Sequence, residues 1–265
     1  MTFLQIVVLA LVQGLTEILP ISSSGHLILV PNFMQWADQG LEFDVAVHFG
    51  TLLAVCAYFR RDVMSLCNGS IGIVRGRFDL PQSRLVFILA LSTVPAAIAG
   101  LVFAGWIAEN LRSPLVVAGT LAGYGVLLAV ADRVGSKQVE FADIDLKKGL
   151  LIGVAQALAL VPGTSRSGIT ITAGLLLGLR RQDAARFSFL LSVPVILLAS
   201  VYEGAQLALS GADVAWADFG VAALISALVA FFSIDFFMRF VNAIGLLPFA
   251  IYRVVLAAVI VYVFV

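Results

Sequence analysis

The sequence predicts an all-α integral membrane protein built from six transmembrane helices and two re-entrant helical hairpins in an inverted-topology repeat. Three observations predict it. Of the 265 residues, 61% are hydrophobic and 12% charged, with a mean hydropathy of +1.06. A soluble domain carries about 45–50% apolar and about 25% charged residues, so this chain has half the charge that a wetted surface requires. Several stretches approach the ~20 apolar residues needed to cross ~30 Å of hydrocarbon. Two further apolar segments are each broken midway by proline, glycine and hydroxyl residues.

The expected spans are 41–59, 85–107, 114–131, 187–202, 219–235 and 248–265, the second of them free of charge. Basic residues collect in cytoplasmic loops. Arg60, Arg61, Arg75, Arg77 and Arg84 crowd one connection, Arg133, Lys137, Lys147 and Lys148 another, and Arg239 marks 236–247. These are expected inside. The 203–218 connection holds Glu203, Asp213 and Asp218 but no Lys or Arg, which suits the outer side.

The two broken segments are 3–33, interrupted by Pro20 to His26, and 149–179, interrupted by Pro162 to Gly168. At 1.5 Å per residue the flanks of the second reach only about 17–20 Å, too short to cross. Each is expected to enter the membrane and turn back. Irregular backbone at that depth is tolerated only where protein buries it or water reaches it, so both tips should face a shared polar cavity. The first segment lacks the basic start and small-residue cleavage site of a signal peptide and carries Glu17, so it is expected to be retained.

Sliding the chain by 143 residues lays Gln13 on Gln156, Leu15 on Leu158, Ser22 on Ser165, Ser24 on Ser167 and Gly25 on Gly168. The chain therefore reads as duplicated, repeat 1 over about 1–135 and repeat 2 over about 147–265, each a hairpin followed by three spans. Because three is odd, the second copy starts from the opposite face, which predicts hairpins entering from opposite sides with tips meeting near the midplane. Both termini then lie outside.

Equal numbers of basic and acidic residues, sixteen of each, exclude a global field for nucleic acid or for peripheral membrane attachment. Cys56 and Cys67 have no metal or disulfide spacing and read as free thiols without a role. An ionisable group within hydrocarbon costs about 2.5–3.5 kcal/mol on insertion scales and is by default a functional candidate. Glu17, His26, His48 and Arg166 qualify. Glu17 lies four residues after Gln13, so both share a helix face. A carboxylate at this depth needs a cation, which makes Glu17 either a ligand for Mg²⁺ or Ca²⁺ or a glutamate hydrogen-bonded to hairpin backbone. Ser22, Ser23, Ser24 and Gly25 precede Leu27 to Val30, where helix resumes, and a helix start with hydroxyls beside it is an anion site.

The second tip repeats that arrangement as Thr164, Ser165, Arg166, Ser167 and Gly168, adding a guanidinium whose fork suits phosphate oxygens. The alternative for Arg166 is an internal ion pair to Glu17. His26 suits proton transfer or attack on phosphorus. His48, one turn from Asp44, is either a supporting group or a polar contact between helices.

The string Gln13-Gly-Leu-Thr-Glu17-Ile-Leu-Pro-Ile-Ser-Ser-Ser-Gly-His26-Leu27 resembles the first signature of the undecaprenyl-diphosphatase family, also called bacitracin resistance proteins. Pro162-Gly-Thr-Ser-Arg166-Ser-Gly168 resembles the second, and Phe187 to Pro194 and Leu247 to Arg253 fit as well. The resemblance implies an enzyme that removes the terminal phosphate of undecaprenyl diphosphate, returning the carrier lipid to cell-wall glycan synthesis, in a bacterial cytoplasmic membrane with the site open to the outer face. It implies the acidic pair at Gln13 and Glu17, with glutamine at the first position, the serine at Ser23, the histidine at His26 and the arginine at Arg166. The expected mechanism is metal-assisted hydrolysis. Glu17, helped by Gln13, binds Mg²⁺ or Ca²⁺; Ser23 is the expected nucleophile with His26 as its proton partner, His26 itself or an activated water being the alternatives; and Ser22, Ser24, Gly25, Thr164, Ser165, Ser167 and Gly168 hold the diphosphate. The expected partners are the polyprenyl diphosphate and membrane lipids, with a homodimer open and nucleic acid excluded. The rival is a transporter or lipid flippase using the same cavity.

Overall fold

A computed structural model describes residues 1–210 and 215–264; Asp213 and Val265 lie outside the described residues. The chain is all-α. Among the described residues the β pairing is an isolated bridge between Val139 and Leu179. The first hairpin is α1 (Phe3–Thr16) and α2 (Ser23–Met34), followed by α3 (Gly40–Tyr58), α4 (Arg60–Val74), α5 (Pro81–Asn110) and α6 (Pro114–Val134). The second is α7 (Leu146–Ala157) and α8 (Arg166–Leu176), with a 3₁₀ turn at Leu158–Leu160 before its tip, then α9 (Arg181–Ser210), α10 (Trp216–Ile244) and α11 (Leu247–Phe264). Five of these helices are long and apolar enough to cross a membrane, and α3 with α4 would make a sixth if the bent pair were one span.

That pair departs from the sequence reading. The connection expected after the first span is the helix α4, set at 90° to α3. Its charges at Arg60, Arg61 and Asp62 hid it from a search for apolar runs, and an amphipathic helix beside the end of a span suits the membrane surface. The expected spans 187–202 and 219–235 are also too short, for α9 and α10 run to 30 and 29 residues.

Small residues set the helix packing. A Cβ on Gly14 would stand 2.7 Å from the Ser226 carbonyl of α10, and one on Gly153 would strike the Ser92 backbone of α5. Close backbone approach at small residues is how helices associate where water supplies no drive. Thus α1 of the first hairpin lies against α10, and α7 of the second against α5. The hairpins enter from opposite ends. Ile6, Leu9 and Ala10 pack with Phe43, Val47 and Ala222 near the starts of α3 and α10. Gly149 lies against Ile88 near the start of α5.

Basic side chains gather at the second end. Arg181 bonds Asp132 at 2.5 and 3.1 Å, joining α9 to α6, and Arg186 pairs with Asp62 of α4 while its guanidinium lies 4.2 Å over Phe141.

Candidate active site

Both hairpins turn on the same local device. Ser22 has φ 77° and ψ 95°, and Ser165, 143 residues further on, has φ 70° and ψ 112°. A non-glycine residue at positive φ is uncommon and costs about 1–3 kcal/mol, a strain that clusters at functional sites. Each serine then caps its helix. Ser22 Oγ accepts from the Gly25 N–H at 3.3 Å, and Ser165 Oγ from Gly168 N–H at 3.2 Å. Ser24 and Ser167 complete the match, each 3.3 Å from the capping hydroxyl. Helix α2 consequently begins at Ser23, earlier than the expected resumption at Leu27.

The tips touch. Gly163 N–H donates to Ser24 Oγ at 3.5 Å, and Ser167 Oγ donates to the Leu19 carbonyl at 3.3 Å. Gly163 must be glycine, for φ is +86° and a Cβ would strike Thr120 of α6.

Glu17 sits at this junction, 8% exposed. Its Oε2 accepts from Ser23 Oγ at 2.6 Å and from Gln13 Nε2 at 3.4 Å; its Oε1 accepts from Arg166 Nη2 at 2.9 Å. His48 Nε2 stands 4.0 Å from Oε2. Arg166 also donates to the Ser188 carbonyl of α9 at 3.1 Å. A buried carboxylate without a cation would be costly, and here the guanidinium from the opposite hairpin supplies one. The ion pair weighed as the alternative for Arg166 is therefore formed.

The structure pairs Ser23 with Glu17 rather than with His26. His26 Nδ1 lies 2.7 Å from the Ser22 carbonyl, and Nε2 lies 2.6 Å from the Tyr252 hydroxyl. A carbonyl only accepts, so Nδ1 carries the proton, and in the neutral ring Nε2 accepts from Tyr252. The two rings stack with centroids 5.7 Å apart and planes 7° off parallel. Ser23 reaches back across the turn, whereas His26 turns to α11.

The remaining expected residues divide by role. Ser22 and Ser165 are occupied as caps, and Ser24 and Ser167 bridge the tips. Thr164 is fully buried with its hydroxyl unpartnered. Gln13 is also fully buried, and its Oε1 has no hydrogen-bond partner. That orphaned oxygen beside the Glu17 carboxylate fits a hard cation, which takes few protein oxygens and completes its shell with phosphate or water. Among the described residues no cluster of three or more His, Cys, Asp or Glu could hold a metal alone. An open cleft of about 310 Å³ runs beside α2 just past His26, lined by Leu27, Ile28, Pro31, Asn32, Trp36, Asp38 and Arg112.

Sequence reasoning missed two residues of α11. Tyr252 holds His26, and Arg253, fully buried, donates to the carbonyls of Gly163 and Thr164 at 3.1 and 2.8 Å. The signal was present: Arg253 is the sole charge in 248–265, and an ionisable residue inside a span is a functional candidate.

Sequence similarity to known proteins extends along nearly the whole chain. The family described as "Bacitracin resistance protein BacA" matches residues 6–259. A protein of Hahella chejuensis named undecaprenyl-diphosphatase is 54% identical over 259 residues, covering 97% of each chain. One of Teredinibacter turnerae with the same name is 53% identical over 256 residues, again 97% of each. A third, from Nitrosococcus oceani, is 48% identical over 264 residues and all of both chains. With a match spanning both hairpins and every helix that surrounds them, this chain belongs to the bacitracin resistance protein BacA family.

Proposed function

We propose that this chain hydrolyses undecaprenyl diphosphate to undecaprenyl phosphate and inorganic phosphate, recycling the lipid carrier for peptidoglycan and other cell-wall glycans and conferring bacitracin resistance. The observation that carries the reading is the contact of Glu17 with both Ser23 and Arg166 where the tips meet. It gives a hydroxyl an adjacent proton acceptor and puts an arginine beside it. The names borne by the full-length relatives support the substrate.

The lipid tail lies between helices and the diphosphate at the tips, where first-turn N–H groups of α2 and α8 lack intrahelical partners. Substrate draws Arg166 from Glu17 Oε1 to the terminal phosphate, whose charge it stabilises as it grows. Ser23 Oγ attacks that phosphorus while Glu17 Oε2, already the acceptor of its hydroxyl, takes the proton. Undecaprenyl phosphate leaves with the former bridging oxygen, and water then frees inorganic phosphate from the serine. In its protonated form His26 keeps Nδ1–H on the Ser22 carbonyl and gives its Nε2 proton, held by the Tyr252 oxygen, to the leaving oxygen, returning to the neutral ring that accepts from Tyr252. Glu17 and Gln13 Oε1 would hold Mg²⁺ or Ca²⁺, which when bound polarises the phosphoryl oxygens as a Lewis acid.

The site belongs in a bacterial cytoplasmic membrane, facing the periplasm. The first hairpin enters from the end opposite the basic side chains, so its catalytic groups are approached from outside by the charge rule. The duplication into repeats of about 1–135 and 147–265 is supported by the matching dihedral angles at Ser22 and Ser165. For a homodimer the support is α6, where Gly119 and Gly123 have open space around them at the spacing used by paired membrane helices.

The test is phosphate release from undecaprenyl diphosphate by purified protein in detergent, with and without EDTA, for the natural protein and His26→Ala. Release that the chelator and the substitution both abolish supports a metal-dependent phosphatase. No release from folded natural protein would favour the transporter.

A further inference from the structure

Arg253 is a buried cation in an unusual setting. It is fully buried in α11, and among the described residues no carboxylate pairs with it. Its partners are main-chain carbonyls on three elements. Nη1 donates to Pro20 of the first tip at 3.5 Å; Nη2 donates to Gly163 and Thr164 of the second at 3.1 and 2.8 Å, and to Thr120 of α6 at 3.4 Å; Nε donates to Leu121 of α6 at 3.2 Å. The sequence provides for this crowding with glycine. A Cβ on Gly168 would lie 2.7 Å from Nη1, and one on Gly125 would lie 3.1 Å from the arginine Cβ.

The tips need such a tie. Their backbone carbonyls stand in irregular chain deep in an apolar protein, where each unsatisfied group is costly. Their direct contacts are few, namely Gly163 to Ser24, Ser167 to Leu19 and the Arg166–Glu17 ion pair. A guanidinium offers five donors in a rigid plane and stays charged when buried; an ammonium offers three. Carbonyl dipoles solvate the charge without cancelling it. Glu17 answers Arg166 one to one, so Arg253 leaves the tip junction with a net positive charge.

We propose that Arg253 is a positioning residue for the phosphate site, locking both hairpin tips and α6 into one arrangement and leaving there an uncancelled positive charge that favours a diphosphate. It acts through the tips, without touching the reacting atoms, and it rests on the hydrolytic reading given above. Misplacing reacting groups by about 1 Å costs about 100-fold in rate, so the effect on turnover is large although the residue lies behind the site.

The experiment compares the natural protein, Arg253→Met and Arg253→Lys in detergent by amide hydrogen exchange, steady-state kinetics on undecaprenyl diphosphate, and thermal unfolding. In Arg253→Met, exchange rises over 17–26 and 161–168 but not over α5 or α9, and kcat falls by about 100-fold. Arg253→Lys keeps the charge and loses donors, so KM stays near the natural value while kcat recovers only in part.

Unchanged kcat and unchanged tip exchange in Arg253→Met would overturn the proposal. So would exchange rising evenly along the chain, with activity lost only in step with folded protein. Should Arg253→Met fail to fold, Arg253→Lys decides: kcat lowered at constant KM supports the proposal, and both unchanged overturn it. If the natural protein releases no phosphate, the hydrolytic reading fails by itself, and exchange at the tips still decides whether Arg253 holds them.

Discussion

The two hairpins share a scaffold and divide the chemistry. At positions 143 residues apart the backbone is repeated, with a strained capping serine, a bridging serine and a glycine in each tip. The reactive side chains are not. Glu17 corresponds to Leu160, Ser23 to Arg166 and His26 to Ile169. The first tip supplies an acid, a hydroxyl and an imidazole; the second supplies the cation. The two tips are therefore alike in backbone and cap and unlike in the side chains they present. Glu17 and Arg166 meet only because the halves are docked, 149 residues apart in the chain.

The sharpest break of this comparison is to remove either half's contribution. Glu17→Ala and Arg166→Ala are each expected to lower turnover by about 100- to 1,000-fold with membrane expression little changed, measured as phosphate release per folded protein. The double variant should be no worse than either single one, because residues that act as a unit are not additive. Equal loss of expression and activity would make the pair structural.

Next comes the metal. Gln13→Ala should raise the Mg²⁺ needed for half-maximal activity by about tenfold, at the low end of what loss of a supporting group costs in metal affinity. Gln156→Leu, at the matching place in the second hairpin, should leave it unchanged. Both amide atoms of Gln156 are buried without partners, so the leucine variant should be more stable by about 1 kcal/mol, read as a raised Tm. An equal metal response in both variants would refute the division of labour.

The shared scaffold predicts equal effects. Ser22→Ala and Ser165→Ala each remove an N-cap and should each cost about 1 kcal/mol of stability. A large inequality in Tm would show that the likeness of the tips is only geometric.

The smallest effect concerns the outer starts of the hairpins. The α1 start is closed by a neutral capping box, Thr2 with Gln5, and the α7 start by Asp145, whose carboxylate accepts from the Lys148 N–H at 2.8 Å and pairs with its ammonium at 3.1 Å. The Lys148 backbone N–H, together with its side chain, holds the Asp145 carboxyl below the usual range. A lowered value in the folded state means that this stabilisation is full above the ordinary carboxylate pKa and is lost as pH falls through the lowered one. The Tm gap between natural protein and Asp145→Asn should thus close in acid, whereas that for Thr2→Ala should not vary with pH.

Much of this could be read from the chain alone. Hydropathy determines that the protein is helical and lies in a membrane, because backbone without water must bond within its own segment. The broken segments determine two re-entrant hairpins, because their flanks are too short to cross. Glu17, Ser23, His26 and Arg166 stood out as reactive types in apolar surroundings or as motif matches; the structure brings Glu17, Ser23 and Arg166 into contact and turns His26 to Tyr252. Helix α4 did not stand out, since its charges mask an amphipathic pattern when only apolar runs are sought.

Partnership was decided by the tertiary structure. Sequence spacing favours Ser23 with His26 in one turn of helix, yet the reversal of the chain at Ser22 brings Ser23 to Glu17 and leaves His26 to Tyr252, 226 residues away. Arg253 is visible in the chain as the sole charge of its span, but its task is not, because its five acceptors are backbone carbonyls that converge only when α6, α11 and both tips are packed. Residue chemistry is a local property and is written in the sequence; which donor meets which acceptor depends on distances that only the packed chain sets.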